Sequence, residues 1–143
     1  MGKKSETTDF LSSLFDFINA KEHRSENQIV FYWPAKWGEG MVSLLRKKEL
    51  LKDYKYFNEL NDFIEWIYNH EFNRIIIDIW RPGNGEPIYD VGIIRKIRND
   101  FPACKIMITS ALPSLMVTAL LLGADSFFHI PFSYDDLMAM INE

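Results

Sequence analysis

Asp78 is the residue best placed in this sequence to do chemistry. It ends an apolar run, RIIID at 74–78, and a turn rich in proline and glycine follows it. Three consecutive isoleucines predict a strand buried on both faces, as in parallel sheets. Ligands of such sheets bind at the carboxyl ends of the strands. Asp78 is therefore a candidate site residue, although a carboxylate in this position can also simply cap the next turn.

Four aromatic residues are expected near the same edge of the sheet. They are Tyr32, Trp33, Trp37 and Trp80. Closely spaced rings usually pack against one another, which would fill the crevice there. The alternative is that they line a pocket for a planar or apolar ligand. The sequence leaves both interpretations open.

Other chemical motifs are weak. The three histidines lack the spacing of zinc ligands, and the glycine-rich turn after Asp78 lacks the lysine of a phosphate loop. No Ser-His-Asp or Cys-His arrangement can be identified from spacing. We therefore predict no enzyme activity.

Strands and helices alternate along the chain. The predicted strands are 28–33, 54–57, 74–78, 105–109 and 126–129. The predicted helices are 8–20, 40–52, 60–68, 89–99, 113–122 and 134–142. This alternation is typical of an α/β fold with a doubly wound parallel sheet.

Composition narrows the class of protein. The 143 residues suffice for one domain, and the net charge of −4 gives no reason to expect nucleic acid binding. The single cysteine, Cys104, rules out an internal disulfide and fits a reducing compartment. Neither a signal peptide nor a membrane span is recognisable. We expect a cytoplasmic protein without membrane or nucleic acid partners within these residues.

From about residue 28 onward, the chain resembles the receiver domain of bacterial response regulators, the CheY-like family. The shared landmarks, in order, are Asp78, Pro82, Thr109–Ser110, Gly123–Ala124 and Pro131–Phe132. The resemblance implies a flavodoxin-like sheet of five parallel strands in the order 2-1-3-4-5. It also implies a division into an N-terminal helical extension, 1–27, and a receiver-like domain, 28–143.

The resemblance also assigns roles to individual residues. Asp78 matches the aspartate that accepts a phosphoryl group in this family. Thr109 matches the hydroxyl that senses the phosphate, and Ser110 occupies the adjacent small-residue position. Phe127 matches the switch aromatic of the fifth strand.

Three positions depart from the family pattern. Receivers end strand one with two acidic residues that hold a divalent cation, and here these are Tyr32 and Trp33. The lysine expected before the proline that follows strand five is replaced by Ile130. Mg²⁺ prefers carboxylate oxygens and water, so we expect its site to be lost and no cofactor to bind. The chain is thus interpreted as a pseudo-receiver.

The fourth helix indicates a protein interface. No charged residue occurs between Ala111 and Ala124, whereas a helix on the surface normally carries a polar stripe. The candidate contact residues are Leu112, Leu115, Met116 and Leu121. In receivers, the face of helix 4, strand 5 and helix 5 binds partners or a second copy. The alternative is that half of these residues face the sheet and the rest form a small patch.

These observations predict a signalling and protein-interaction module that works without phosphorylation, in transcriptional control. Two alternatives remain at this point. The first is a receiver that is still phosphorylated at Asp78, with unorthodox metal ligation. The second is a small-molecule sensor that uses the aromatic crevice near Trp33 and Trp80.

Overall fold

The secondary structure follows the predicted alternation closely. The computed structural model describes residues 12–14, 16–18, 29–47, 54–81, 83–86 and 88–130. The strands are β1 (Ile29–Tyr32), β2 (Tyr54–Phe57), β3 (Arg74–Asp78), β4 (Trp80–Arg81), β5 (Ile88–Tyr89), β6 (Lys105–Ser110) and β7 (Ser126–His129). The helices are α1 (Lys36–Lys47), α2 (Leu60–Ile67), α3 (Gly92–Asp100) and α4 (Met116–Leu122), the last preceded by a 3₁₀ turn at Pro113–Leu115.

Five parallel strands form the central sheet, in the order β2-β1-β3-β6-β7. Counted along the chain without β4 and β5, this is the expected order 2-1-3-4-5. Strands β1 and β3 are completely buried, whereas the edge strands β2 and β7 are partly exposed. The doubly wound α/β fold is confirmed.

The handedness of the connections distributes the helices over the two faces of the sheet. The crossover from β1 to β2 runs in one direction along the sheet, and the later crossovers run in the other. Because parallel crossovers are right-handed, α1 lies on one face, and α2, α3 and α4 lie on the opposite face. The core accordingly consists of two clusters of buried residues, one on each side of the sheet.

The N-terminal segment contributes to the α1 face. Residues 12–14 and 16–18 are helical, within the predicted helix 8–20. Leu14 and Ile18 are buried in the cluster that also contains Phe31 and Met107. This segment therefore covers sheet surface that α1 alone leaves open. The domain boundary between 27 and 28 stays a prediction.

Helix α1 begins at Lys36, four residues before the predicted start. The predicted start was wrong because glycine disfavours helix interiors, and Gly38 was therefore left outside the helix. Gly38 has a packing reason to be glycine, since a Cβ there would lie 2.4 Å from the Cβ of Trp33. The first turn of α1 thus packs directly on the residue that follows β1.

The segment after Asp78 forms a ribbon that was not predicted. Strands β4 and β5 pair antiparallel, with Trp80 opposite Tyr89. The ribbon is attached to the sheet at its base, where the N–H of Asp90 donates to the carbonyl of Ile79 at 2.8 Å. It therefore lies directly beyond the carboxyl end of β3.

Some predicted features fall outside the described residues. They are Pro82, Pro131–Phe132 and the last helix, 134–142. Within the described part of the chain, no helix is long and apolar enough to span a bilayer.

Candidate functional site

Asp78 is the last residue of β3 and is 3% exposed. Its Oδ1 accepts a hydrogen bond from the backbone N–H of Trp80 at 3.0 Å. This is the turn-capping bond that a strand-end carboxylate can make. The bond fixes the start of the β4–β5 ribbon relative to the sheet.

Trp33, Asp78 and Thr109 share the face of the sheet that α1 covers. Side chains alternate between faces along a strand, so Asp78 lies on the side of Ile76 and Thr109 on the side of Met107. Ile76, Met107 and Trp33 belong to the same buried cluster. The three residues therefore lie on one face at the carboxyl edge of the sheet.

The register makes these three residues lateral neighbours. Asp78 is paired with Thr109 across β3 and β6. On its other side, Tyr32 is paired with Ile77, so Trp33 comes next to Asp78. Trp33 and Thr109 thus flank Asp78, and we call these three residues the Asp78 row.

Two polar atoms of the Asp78 row are unsatisfied. The indole Nε1 of Trp33 and the hydroxyl Oγ1 of Thr109 are buried and have no hydrogen-bond partner among the described residues. Buried donors without partners are uncommon because their desolvation is not compensated. A buried carboxyl group is therefore flanked by two unused hydrogen-bond donors.

Burial also governs the ionisation of Asp78. Desolvation raises the pKa of its carboxyl group to about 7, and the hydrogen bond from the Trp80 N–H lowers it in part. Desolvation disfavours the charged form, and no lysine follows β7, where Ile130 stands. Asp78 therefore carries a proton far more readily than an exposed aspartate does.

The aromatic residues divide between the two faces. The Trp33 ring packs against Phe31 and Trp37, with centroids 4.8 and 4.9 Å apart. Tyr32 lies on the opposite face and stacks on Phe63 of α2 at 5.2 Å. The structure thus brings Trp33 and Trp37 together but separates Tyr32 from them. Trp80 is half-buried in the ribbon.

The main chain of Trp33 is held on both sides. Its N–H donates to the carbonyl of Phe57 at 3.0 Å, and its carbonyl accepts from the Tyr56 hydroxyl at 3.0 Å. Burial and the charge of Glu39 raise the pKa of Tyr56, which keeps this hydroxyl protonated as a donor. Glu39, just outside the predicted helix 40–52, lies in the first turn of α1.

The side chains at the end of β1 do not fit Mg²⁺. A magnesium ion needs oxygen ligands in near-octahedral geometry, usually including one or two carboxylates. Tyr32 and Trp33 offer rings packed against other rings, and Asp78 supplies a single carboxylate. Within the described residues, no three His, Cys, Asp or Glu side chains come together as ligands.

The remaining predicted site residues have structural contacts. The Ser110 Oγ accepts from the N–H of Leu112 at 3.0 Å, and the Ser110 carbonyl accepts from the N–H of Ile130 at 2.8 Å. Ile130 is buried. Phe127 pairs with Ile108 and packs, half-buried, against the cluster on the α2–α4 face.

Helix α4 exposes a continuous apolar surface. Of the four predicted contact residues, Leu112, Met116 and Leu121 are exposed, and Leu121 reaches 76%. Leu115 instead packs against the core. Two residues that the prediction omitted, Val117 and Leu120, are also exposed. The absence of charged residues in this segment indicated an apolar surface. Only the structure showed which residues face the core and which face solvent.

Comparison with known proteins identifies the fold. No known protein family and no curated protein matches the sequence. Among solved structures, the BeF3-activated receiver domain of DrrB from Thermotoga maritima is 20% identical, with a TM-score of 0.58, covering 80% of this chain and 93% of that one. A Francisella response regulator receiver domain, 1452, is 18% identical, with a TM-score of 0.60, covering 82% and 94%. HP1043, an orphan response regulator of H. pylori, is 16% identical, with a TM-score of 0.55, covering 82% and 94%.

These likenesses lie in the three-dimensional arrangement and not in close sequence identity. They agree with the sheet order and with the helices on both faces of the sheet. The chain has the fold of a response-regulator receiver domain of the CheY-like type.

Proposed function

We propose that this chain is an atypical receiver domain of a response regulator, a signalling module that acts through protein contacts and does not require phosphorylation of Asp78. The observation that carries the proposal is the seating of Trp33, buried beside Asp78 and packed on Trp37. Phosphoryl transfer depends mainly on positioning and on neutralising charge. Apolar rings provide neither.

The transition state of phosphoryl transfer is affected most by the missing lysine and by the missing carboxylates that would hold a cation. Removing one electrostatic donor from such a site typically costs roughly 3–4 kcal/mol in activation free energy. Ile130 offers no ammonium group, and Tyr32 and Trp33 offer no carboxylates. The combined loss makes the phosphorylated form inefficient to produce, so the signal must arise in another way.

The apolar surface of α4 supplies the means of interaction. Met116, Val117 and Leu121 are exposed on a helix without charges. Contiguous apolar patches on soluble domains generally mark sites of association. We propose that this helix, with β7 beside it, binds a partner protein or a second copy of the chain.

The cellular setting is part of the proposal. We place the module in the cytoplasm and in transcriptional control, on its likeness to the receiver of DrrB, which is described as an OmpR/PhoB homolog. The chain spans 51% of that longer protein. We assign it no enzymatic activity and no cofactor.

A receiver that is still phosphorylated at Asp78 is the second candidate. The Thr109 hydroxyl favours it, because this hydroxyl has no hydrogen-bond partner among the described residues and lies in register with Asp78, where it could donate to a phosphoryl oxygen.

Intrinsic tryptophan fluorescence distinguishes the two candidates. The protein is titrated with millimolar Mg²⁺ and then with beryllofluoride, which mimics a phosphoryl group on aspartate. Trp33 and Trp80 both adjoin Asp78, so occupation of the site changes the emission. We expect no saturable response from protein whose circular dichroism shows it to be folded.

The Asp78→Asn variant is the control. A saturable response in the parent protein that disappears in Asp78→Asn would overturn our proposal in favour of the phosphorylated receiver. A response that persists in the variant would show that the mimic acts elsewhere, and the proposal would stand.

A further inference from the structure

A cleft of about 330 Å³ opens between the end of the edge strand β2 and helix α2. Its lining residues are Phe57, Asp62, Glu65, Trp66, Asn69 and His70. It shares no residue with the Asp78 row and none with the apolar surface of α4. Its volume is at the lower end of the range for small-ligand sites.

Aromatic rings form one wall of the cleft. The rings of Trp66 and His70 stack, with centroids 4.5 Å apart and planes 4° from parallel. The Phe57 ring is tilted against Trp66 at 6.2 Å. Phe57 and Trp66 are half-buried against the core, so this wall is fixed in position.

The polar atoms of the cleft are mainly hydrogen-bond acceptors. Asp62 and Glu65 are exposed and three residues apart, so their carboxylates lie on the same side of α2. Asn69 uses its Nδ2 to donate to the Glu65 carbonyl at 2.7 Å, which leaves its side-chain oxygen as an acceptor. Among the described residues, no lysine or arginine belongs to the lining.

His70 adds a further acceptor. Its Nδ1 lies 3.0 Å from the carbonyl oxygen of Trp66. A carbonyl can only accept, so Nδ1 carries the hydrogen. The Nε2 of the neutral ring is then an acceptor.

Aromatic rings combined with carboxylates select a cation. Ring faces attract positive charge, and carboxylates form charge-assisted hydrogen bonds with it. A planar guanidinium meets both demands at once, because it stacks on rings and donates in its own plane. An anion would be repelled by Asp62 and Glu65, and an apolar group would leave these carboxylates without partners.

We propose that this cleft binds the guanidinium group of an arginine side chain presented by a partner protein. The proposal does not depend on phosphorylation or on the use of α4. It gives the module a second contact surface, on the opposite edge of the sheet from β7.

The probe is a capped tripeptide, acetyl-Gly-Arg-Gly-amide, titrated to several millimolar. The readout is the indole N–H signal of Trp66 in ¹H–¹⁵N correlation spectra, assigned with Trp66→Phe. We expect a saturable shift of this signal. The matched tripeptide with citrulline, which has the same shape and no charge, should bind about tenfold more weakly.

Charge variants test whether the cleft itself is responsible. Asp62→Asn and Glu65→Gln should each weaken binding about threefold to tenfold. Glu59→Gln removes a charge just before the same helix, outside the lining, and should leave the affinity unchanged. The two cleft variants are independent, so failure of one to fold leaves the other as the test.

Three outcomes would overturn the proposal. One is the absence of any Trp66 shift with the arginine tripeptide. Another is equal binding of the citrulline tripeptide. The third is a loss in Glu59→Gln as large as the loss in Asp62→Asn, since this would reveal only a general attraction to the acidic surface.

Discussion

Asp78 fits its surroundings better as a neutral carboxyl group than as a carboxylate. It is buried, and the described hydrogen bond to it comes from a neutral backbone N–H. In the unfolded chain its pKa is that of an ordinary aspartate, 3.8, whereas burial raises the pKa to about 7 in the folded protein. Between these two values the folded state binds more protons than the unfolded state. The contribution of Asp78 to the free energy of unfolding therefore falls as the pH rises from about 4 to about 7.

Replacing Asp78 with asparagine should remove this pH dependence. At pH 8 we expect Asp78→Asn to be more stable than the parent by roughly 4 kcal/mol, since the pKa rises from 3.8 to about 7 on folding. The difference should shrink towards zero below about pH 3, where the parent carboxyl is protonated in both states. Urea unfolding of both proteins across this range measures it. The expectation would be contradicted if the parent became more stable relative to the variant as the pH rises.

At this scale the sequence predicted the position of Asp78 and placed Trp33 at the same edge of the sheet, but it did not show which side chains flank the carboxyl group. An apolar run that ends in a carboxylate can be recognised within the sequence of a single strand. The proximity of Trp33 and Thr109 depends on the register of three strands, which no local pattern specifies. For the same reason, the unsatisfied state of Trp33 Nε1 and Thr109 Oγ1 became visible only with the fold.

Helix α1 and the end of β1 are in unusually close contact. Gly38 lies so near Trp33 that a Cβ would meet both its side chain and its carbonyl oxygen, at 2.4 and 2.8 Å. The position of the indole therefore depends on a glycine in the first turn of the helix. This contact links the packing of an element directly to the candidate site.

Alanine at Gly38 should destabilise the protein. In an ordinary helix this change is favourable by roughly 0.5–1 kcal/mol. Here overpacking against Trp33 should dominate, and we expect a net loss of about 1–3 kcal/mol in the free energy of unfolding. Gly92→Ala in α3 is the control, because a Cβ there meets no atom within 4 Å. Equal effects of the two substitutions in thermal unfolding would refute the packing argument.

The elements that the sequence predicted well are those with strong hydrophobic patterns. The bounds of β2, β3 and β7 agree with the expected ranges, since each is a short apolar or aromatic run between polar residues. The β4–β5 ribbon was missed because each of its strands contributes two residues, too few for a periodic pattern. The start of α1 was missed because a tertiary contact outweighed the low helix propensity of glycine.

The helical residues near the N-terminus belong to the core of the molecule. Leu14 is fully buried among side chains from α1 and the sheet. If this segment were an independent appendage, its side chains would contribute nothing to the stability of the sheet. The packing indicates one cooperative unit.

Truncation of Leu14 should therefore destabilise the whole protein. We expect Leu14→Ala to lower the free energy of unfolding by about 2–4 kcal/mol, the usual cost of a cavity at a buried leucine. Ser12→Ala, on an exposed residue of the same helical segment, should have little effect. Chemical unfolding followed by tryptophan fluorescence reports on the sheet. A transition unchanged by Leu14→Ala would show that the segment folds separately.

The exposed apolar surface of α4 is the proposed site of association. Leu121 is 76% exposed and contributes little to the core, so Leu121→Glu should change stability by less than about 0.5 kcal/mol. If copies of the chain associate through this surface, the charge should shift the population to monomer in light scattering. Lys96→Gln, at an exposed position of α3, makes the same one-unit change in net charge and is the control. Association that survives Leu121→Glu would exclude α4 as the contact.

The indole beside Asp78 also has a consequence for timing. An acyl phosphate on aspartate hydrolyses, so the lifetime of that covalent bond limits how long a phosphorylated receiver stays active. Under the proposed function, a module whose site is filled by Trp33 and Trp37 would have no such limit. Its active period would last as long as its partner stays bound, and the cell would adjust that period through the partner's concentration and dissociation rate.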